Sequence, residues 1–225
     1  MASFHHRLLR GAAPVWRAAI RHPFLLRTAA GTISRRAFAR WMRQDYLYVR
    51  SLVPFLHMVA AGSPPGDRRA YAEAIVILHE EIDLFERMAR ARGIRLGAGR
   101  RADEAAMEPA CRAYVSFVMA VGRDRPHPEA VAVLYGLERI YLDSWRGVRR
   151  RLGRRRSPWR PFIERWSGPG YRAWVGWLGR AVDRAARAAS PATRARMVRL
   201  FLDTARHEVR FWDMALSGGP RRLRS

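Results

Sequence analysis

Lysine is missing from this chain: all 43 basic residues are arginine, set against 19 acids for a formal net charge of +24. Dense positive charge ordinarily calls for nucleic acid or an anionic membrane. Arginine to the exclusion of lysine, in a chain also rich in alanine, instead reads as a GC-rich coding bias acting on solvated positions. Neither nucleic acid nor a membrane is therefore expected as the partner. The densest run, RGVRRRLGRRR at 146–156, reads first as a solvated helix end, where cations suit the negative pole of the helix dipole. An anion patch is the sharper alternative. A single cysteine, Cys111, excludes an internal disulfide and fits a reducing compartment.

Other absences narrow the field further. No run approaches the roughly twenty uninterrupted apolar residues that cross a bilayer. The opening MASFHHRLLRGAAPVWRAAIRHPF has basic residues but no apolar core followed by a small-residue cleavage site. A soluble, cytoplasmic protein is the expectation. Glycine-rich phosphate loops are missing, and so is any Glu-x-x-His pair of the kind that holds two irons in helical bundles. His79 with Asp83 and Asp203 with His207 are each four apart. The second pair lies off the apolar stripe of its helix and reads as surface, so no metal or other cofactor is assigned. Cys111 has no partner motif for nucleophilic catalysis.

What is present is helix. Apolar periodicity predicts eight helical segments and no convincing strand: 4–21, 34–61, 67–92, 103–121, 129–151, 158–166, 171–188 and 190–216. The first stops before His22-Pro23. Ser34 caps the second, and a kink is expected at Pro54, where a backbone donor is missing. Asp67 is a candidate cap for the third and Gly93 its left-handed stop. Ser190-Pro191 opens the last. The expected fold is one all-α domain over residues 1–217, followed by a frayed tail at 218–225.

Three of these helices carry an acid inside an apolar stripe. Steps of three and four place Phe38, Trp41, Asp45, Tyr48 and Leu52 on one face of the second segment. The fifth aligns Val131, Leu134, Glu138, Tyr141 and Trp145, and the last aligns Phe201, Ala205, Glu208, Trp212 and Ala215. A carboxylate removed from water needs a partner, because its uncompensated burial costs several kcal/mol. With so much arginine, any single acid could be half of a buried ion pair. Three of them point instead to a shared pocket. Glu81, in line with Ile77, Leu84 and Met88, is a weaker fourth case, since Glu80, Asp83 and Glu86 make a solvated acidic face equally reasonable. The accompanying rings of Trp41, Tyr48, Tyr114, Tyr141, Phe211 and Trp212 are ordinary core. With inward carboxylates they also suit a planar, nitrogen-bearing heterocycle.

RHPFLLRTAAGTISRRAFARWMRQDYLYVR near the start and HEVRFWDMAL near the end resemble the TenA (thiaminase II) family. That family places HPF, a Gly-Thr turn and F-x-x-W/Y-x-x-QDY-x-Y at this spacing and ends on E-x-x-FW-x-MA. The resemblance implies a haem-oxygenase-like helical fold, a homo-oligomer (dimer or tetramer) and hydrolysis of 4-amino-5-aminomethyl-2-methylpyrimidine, or its N-formyl derivative, in thiamin salvage. By motif, Asp45 would bind the amidine-like edge of the pyrimidine, Tyr48 and Tyr114 would line the ring, and Glu208 would act as general acid/base. The best-known branch has a catalytic cysteine on the fifth helix, where this chain reads LYGLERIYLDSW. It resembles the subgroup with glutamate there, and Glu138 is the match. Glu138 and Glu208 would then share acid/base duties, with desolvation and mutual repulsion raising the pKa of at least one. Thiaminase activity proper, which uses a thiolate, is not implied. The competing readings are an oxidase or oxygenase of the PqqC or di-iron type and a non-catalytic nucleic-acid-binding regulator.

Overall fold

The computed structural model describes residues 3–97 and 105–217. Among those residues the regular structure is helical and no strand occurs. The helices are α1 (Phe4–Gly11), α2 (Ala13–Ile20), α3 (Pro23–Ala30), α4 (Arg35–Ala61), α5 (Arg68–Arg90), α6 (Pro109–Asp124), α7 (His127–Leu152), α8 (Arg160–Ser167), α9 (Pro169–Ala188) and α10 (Pro191–Ser217). The all-α expectation holds. Position 103, the expected start of the fourth segment, and the tail at 218–225 lie outside the described residues.

Local signals explain most boundaries. Ser34 accepts from the Ala37 amide at 3.1 Å and opens α4, and Ser190 accepts from Thr193 at 3.1 Å and opens α10; each satisfies a donor that the helix itself cannot. Gly93, at φ +62°, takes the left-handed stop expected after α5. Helix α4 runs through Pro54 for 27 residues.

Three expectations at the termini of helices need correction. The predicted helix 4–21 is two helices with Ala12 between them at φ −95°, ψ 3°, because Pro14 in the first turn of α2 cannot donate back and its ring crowds the preceding turn. The stretch after His22-Pro23 is not a bare connection. His22 Nδ1 accepts from Phe24 N at 3.2 Å, Pro23 sits where a missing N–H costs nothing, and Gly31 at φ +76° ends the short α3. Asp67 occupies the cap position of α5 without a side-chain cap hydrogen bond, and a 3-10 turn, Pro65–Asp67, leads in instead.

The described residues form two compact units, one of 3–33 with 128–212 and one of 34–97, 105–127 and 213–217. In the second, α4 packs on both α5 and α6. Phe38, Trp41, Phe55, Phe85 and Val118 are fully enclosed there. Gly122 permits the close approach: a Cβ at that position would meet Met58 Cε at 2.7 Å and Phe55 at 3.0 Å. In the first unit, Gly136 of α7 does the same for α10, where a Cβ would come 3.2 Å from both Phe201 and Thr204.

Helices α7 and α10 are also joined by a buried ion pair. Glu129, wholly enclosed, takes Arg196 Nε at 2.5 Å, and the guanidinium is 37 % exposed. Removing the cation takes away a main compensation of an enclosed carboxylate. Arg196→Ala is therefore expected to destabilise the fold by roughly 2–3 kcal/mol, less than a fully enclosed pair would lose because water can partly replace this arginine. Urea titration of the purified variant checks it.

Candidate functional site

Helix α4 supplies the first cluster. Its apolar stripe is buried as the spacing predicts, with Phe38, Trp41, Tyr48 and Leu52 enclosed and Asp45 only 1 % exposed in their midst. The Trp41 ring meets Phe38 edge-on at 4.7 Å and Phe85 of α5 at 5.8 Å. Tyr48 and Tyr114 bring α4 and α6 together, with centroids 4.6 Å apart and planes 35° from parallel. The two tyrosines assigned to one ring-binding role are thus neighbours in space, although sixty-six positions separate them in the chain.

The thiol of Cys111 reports the electrostatics. It is buried on α6, donates to the Gln44 carbonyl at 3.4 Å, and is pushed well above the ordinary thiol range. Burial contributes most; the negative charges of Asp45 and Glu108 add to it and Arg112 opposes it. A thiol held protonated in this way is a poor nucleophile. Glu81 of α5 is buried as well, on the face of Tyr71, Leu78, Phe85 and Met88. Its expected neighbour Ile77 is 46 % exposed, so the inward stripe of α5 is offset by one residue from the predicted one. Glu80, Asp83 and Glu86 are the solvated acids, and Glu86 also accepts from the Tyr46 hydroxyl at 2.9 Å.

The second cluster stands on α7 and α10. Phe201, Ala205, Glu208, Trp212 and Ala215 are all enclosed, Glu208 at 1 % exposure. Trp212 is stacked on by Phe24 at 5.1 Å and by Tyr141 at 5.6 Å, with Trp145 edge-on at 6.4 Å. Its indole N–H is buried and meets no acceptor among the described residues, a position that a polar ligand would satisfy. On α7, Val131, Leu134, Tyr141 and Trp145 are buried and Glu138 is half-buried. The acid proposed to replace a nucleophile therefore keeps access to solvent.

In each of the two His–Asp pairs one member holds another partner. His79 Nδ1 lies 2.8 Å from the Ile75 carbonyl of its own helix. Asp203 takes Arg206 at 2.9 Å on an exposed face. His207, half-buried beside Glu208, is lowered from its ordinary value, mainly by burial and then by the positive Arg210, against a smaller pull from Asp203. Since the native state holds this imidazole neutral more firmly than the unfolded chain does, protonation opposes folding. Stability is then retained above about pH 6.5 and lost as the pH falls through the lowered value. His207→Gln is expected to flatten the fall in Tm between pH 7.5 and 5.5, read by calorimetry.

Glu129 and Gln44 are buried polar residues that the acid-bearing stripes do not include. Glu129 lies at the start of α7, where the helical pattern begins. Gln44 is neutral and so stands outside any pattern of acids, yet its side chain bonds Ala106 and Glu108 and its backbone carbonyl accepts from Cys111. Its signal was compositional: this is the sole glutamine of a chain that has no asparagine.

Comparison with known proteins gives this arrangement a context. The model of the TENA/THI-4/PQQC family matches residues 9–218. Among curated proteins, the chain is 28 % identical to an aminopyrimidine aminohydrolase of Halalkalibacterium halodurans over 95 % of each chain. It is 24 % identical to an aminopyrimidine aminohydrolase of Helicobacter pylori, covering 92 % of this chain and 96 % of the other. A solved TenA homologue from Pyrococcus furiosus superposes with a TM-score of 0.88 at 26 % identity, over 94 % of this chain and 99 % of that one.

Proposed function

We propose, from the premise that this chain belongs to the TENA/THI-4/PQQC family, that it is an aminopyrimidine aminohydrolase. Its substrate in this reading is 4-amino-5-aminomethyl-2-methylpyrimidine or the N-formyl derivative, and its place is thiamin salvage. The observation that carries the reading is chemical. Asp45 and Glu208 are each 1 % exposed among aromatic side chains, while the only thiol of the chain is held protonated on α6. Acid/base hydrolysis by carboxylates remains available to such a chain and thiolate chemistry does not.

The assignment runs residue by residue. Asp45 accepts hydrogen bonds from the amino group and ring edge of the pyrimidine, with Tyr48 and Tyr114 against the ring and Trp41 and Glu81 behind them. Glu208 and Glu138 divide the proton transfers. The carboxylate form of one takes a proton from water as its oxygen bonds to the exocyclic methylene. The carboxylic acid form of the other protonates the departing nitrogen as the C–N bond breaks. Hydroxymethyl pyrimidine and ammonia leave, and the two carboxyl groups have exchanged one proton. Tyr141 and Trp212 line the acid/base side. Glu138, half-buried, suits activation of water.

The same reading takes residues 1–217 as one domain, since the family match crosses both compact units without a break. It places a homo-oligomer, dimer or tetramer, in the cytoplasm with no cofactor. The test is ammonia release by the purified protein given the 5-aminomethyl pyrimidine. Wild-type turnover that falls by about a hundredfold or more in Glu138→Gln supports the assignment. Turnover that survives the substitution removes Glu138 from the mechanism. No turnover with either pyrimidine, together with iron in the fresh preparation, would replace the hydrolase by an oxidase.

A further inference from the structure

Gln44 precedes Asp45 on α4, points inward at 5 % exposure and is the chain's one side-chain amide. Both ends of that amide are engaged by the same short segment. Nε2 donates to the Ala106 carbonyl at 3.0 Å, and Oε1 accepts from the Glu108 amide at 2.8 Å. A second pair of contacts reinforces the clasp: Arg40, one turn earlier, lies 3.4 Å from the Glu108 carboxylate, and Cys111 donates to the Gln44 backbone carbonyl. Glu108 is the residue at which α6 begins. Six positions later on that helix stands Tyr114, against Tyr48.

Only a carboxamide of this length serves. Ala106 offers an acceptor and Glu108 a donor, so the clasping group must donate at one atom and accept at its neighbour. Aspartate and glutamate lack the donor, arginine lacks the acceptor, and asparagine is one methylene short. A neutral group is also the one that can be buried beside the charge of Asp45 without adding repulsion.

We propose that Gln44 is the positioning residue of the pyrimidine half-site. By clasping segment 106–108 it fixes the start of α6, and through α6 it sets Tyr114 against Tyr48 and closes the surroundings of Asp45. This assignment rests on the aminopyrimidine reading for its catalytic consequence. The clasp itself stands without it. Gln44 does not touch the reacting atoms, so its loss weakens ground state and transition state alike and raises KM with little change in kcat.

Cys111 supplies a reporter independent of activity. Its thiol lies on the first turn of α6, three residues after Glu108, and donates to the Gln44 carbonyl, so it is held unreactive while that segment is held. The experiment compares wild type, Gln44→Met and Gln44→Glu for three readouts: steady-state kinetics with the 5-aminomethyl pyrimidine, the rate of Cys111 alkylation by iodoacetamide in native protein, and Tm. Gln44→Met keeps length and packing and removes both hydrogen bonds. Gln44→Glu keeps the acceptor, so it serves if the methionine variant does not fold. The expected result is a KM raised about tenfold with kcat within about twofold, as two lost hydrogen bonds would give. Alkylation should be at least about tenfold faster, through local opening of the segment.

Unchanged KM and unchanged alkylation, whatever the Tm, overturn the proposal and leave Gln44 a packing residue. A fall in kcat at constant KM overturns it as well, since that signature belongs to a group acting in the transition state. Faster alkylation in a protein that does not turn over the pyrimidine upholds the clasp and rejects the aminopyrimidine reading. The two failures are therefore told apart.

Discussion

Glu208→Gln is expected to abolish ammonia release, with kcat lowered by about a thousandfold, in the range that separates a positioned acid/base from its absence. The substitution preserves shape and volume, removes the capacity to carry a proton and turns one acceptor oxygen into an NH2 donor. Glu208 sits on α10 between Ala205 and Trp212, all enclosed, so little water reaches it to act in its stead. Because the glutamine occupies the same volume in the same stripe, helix content and Tm should stay close to wild type. Loss of activity with an unchanged melting curve assigns the proton transfer to Glu208. Loss of both would mean that the carboxylate is a structural member of the core, and retention of both would move the acid/base role elsewhere.

Asp45→Asn is expected to act on the other side of the catalytic cycle, raising KM about a hundredfold while the substrate that does bind is still turned over. An ionised carboxylate accepts charge-assisted hydrogen bonds worth about 1.5–3 kcal/mol apiece. Asparagine presents an NH2 to the amino group of the pyrimidine, so the loss includes a mispaired donor as well as a missing acceptor. Binding of the 5-hydroxymethyl product, measured by calorimetry, should weaken in parallel. Cys111 gives a control. Burial is the larger cause of its raised pKa and the Asp45 charge the smaller, so Asp45→Asn by itself should leave the thiol slow to alkylate, unlike a change at Gln44.

The sequence made the candidate carboxylates legible to different degrees. Asp45 and Glu208 interrupt runs of apolar residues at strict helical spacing, and both are enclosed as that spacing requires. Glu138 occupies an equally regular stripe but is half-buried. Regular spacing fixes which way a residue faces along its own helix, while the depth to which it is covered depends on neighbours drawn from anywhere in the chain. Glu81 shows the same limit: the acids of α5 alternate so closely with apolar residues that the stripe could be drawn through Ile77 or through Leu78, and packing chose Leu78. Helix α3 was passed over because Pro23 reads locally as a terminator, whereas the cap from His22 makes it a first residue.

By itself the sequence determined the helical class, the capped ends at Ser34, Gly93 and Ser190, the family motifs, and the inward direction of Asp45 and Glu208. The helical class, the caps and the facing directions follow from interactions between residues three or four apart, or from the conformational range of a single residue. Only the tertiary structure decided which polar groups lose water and what they meet when they do. Glu129 found Arg196, Tyr48 found Tyr114, and the lone glutamine found the backbone at 106–108. Each of those meetings joins positions about sixty or more apart, where no local periodicity carries information and the choice falls to how the helices pack.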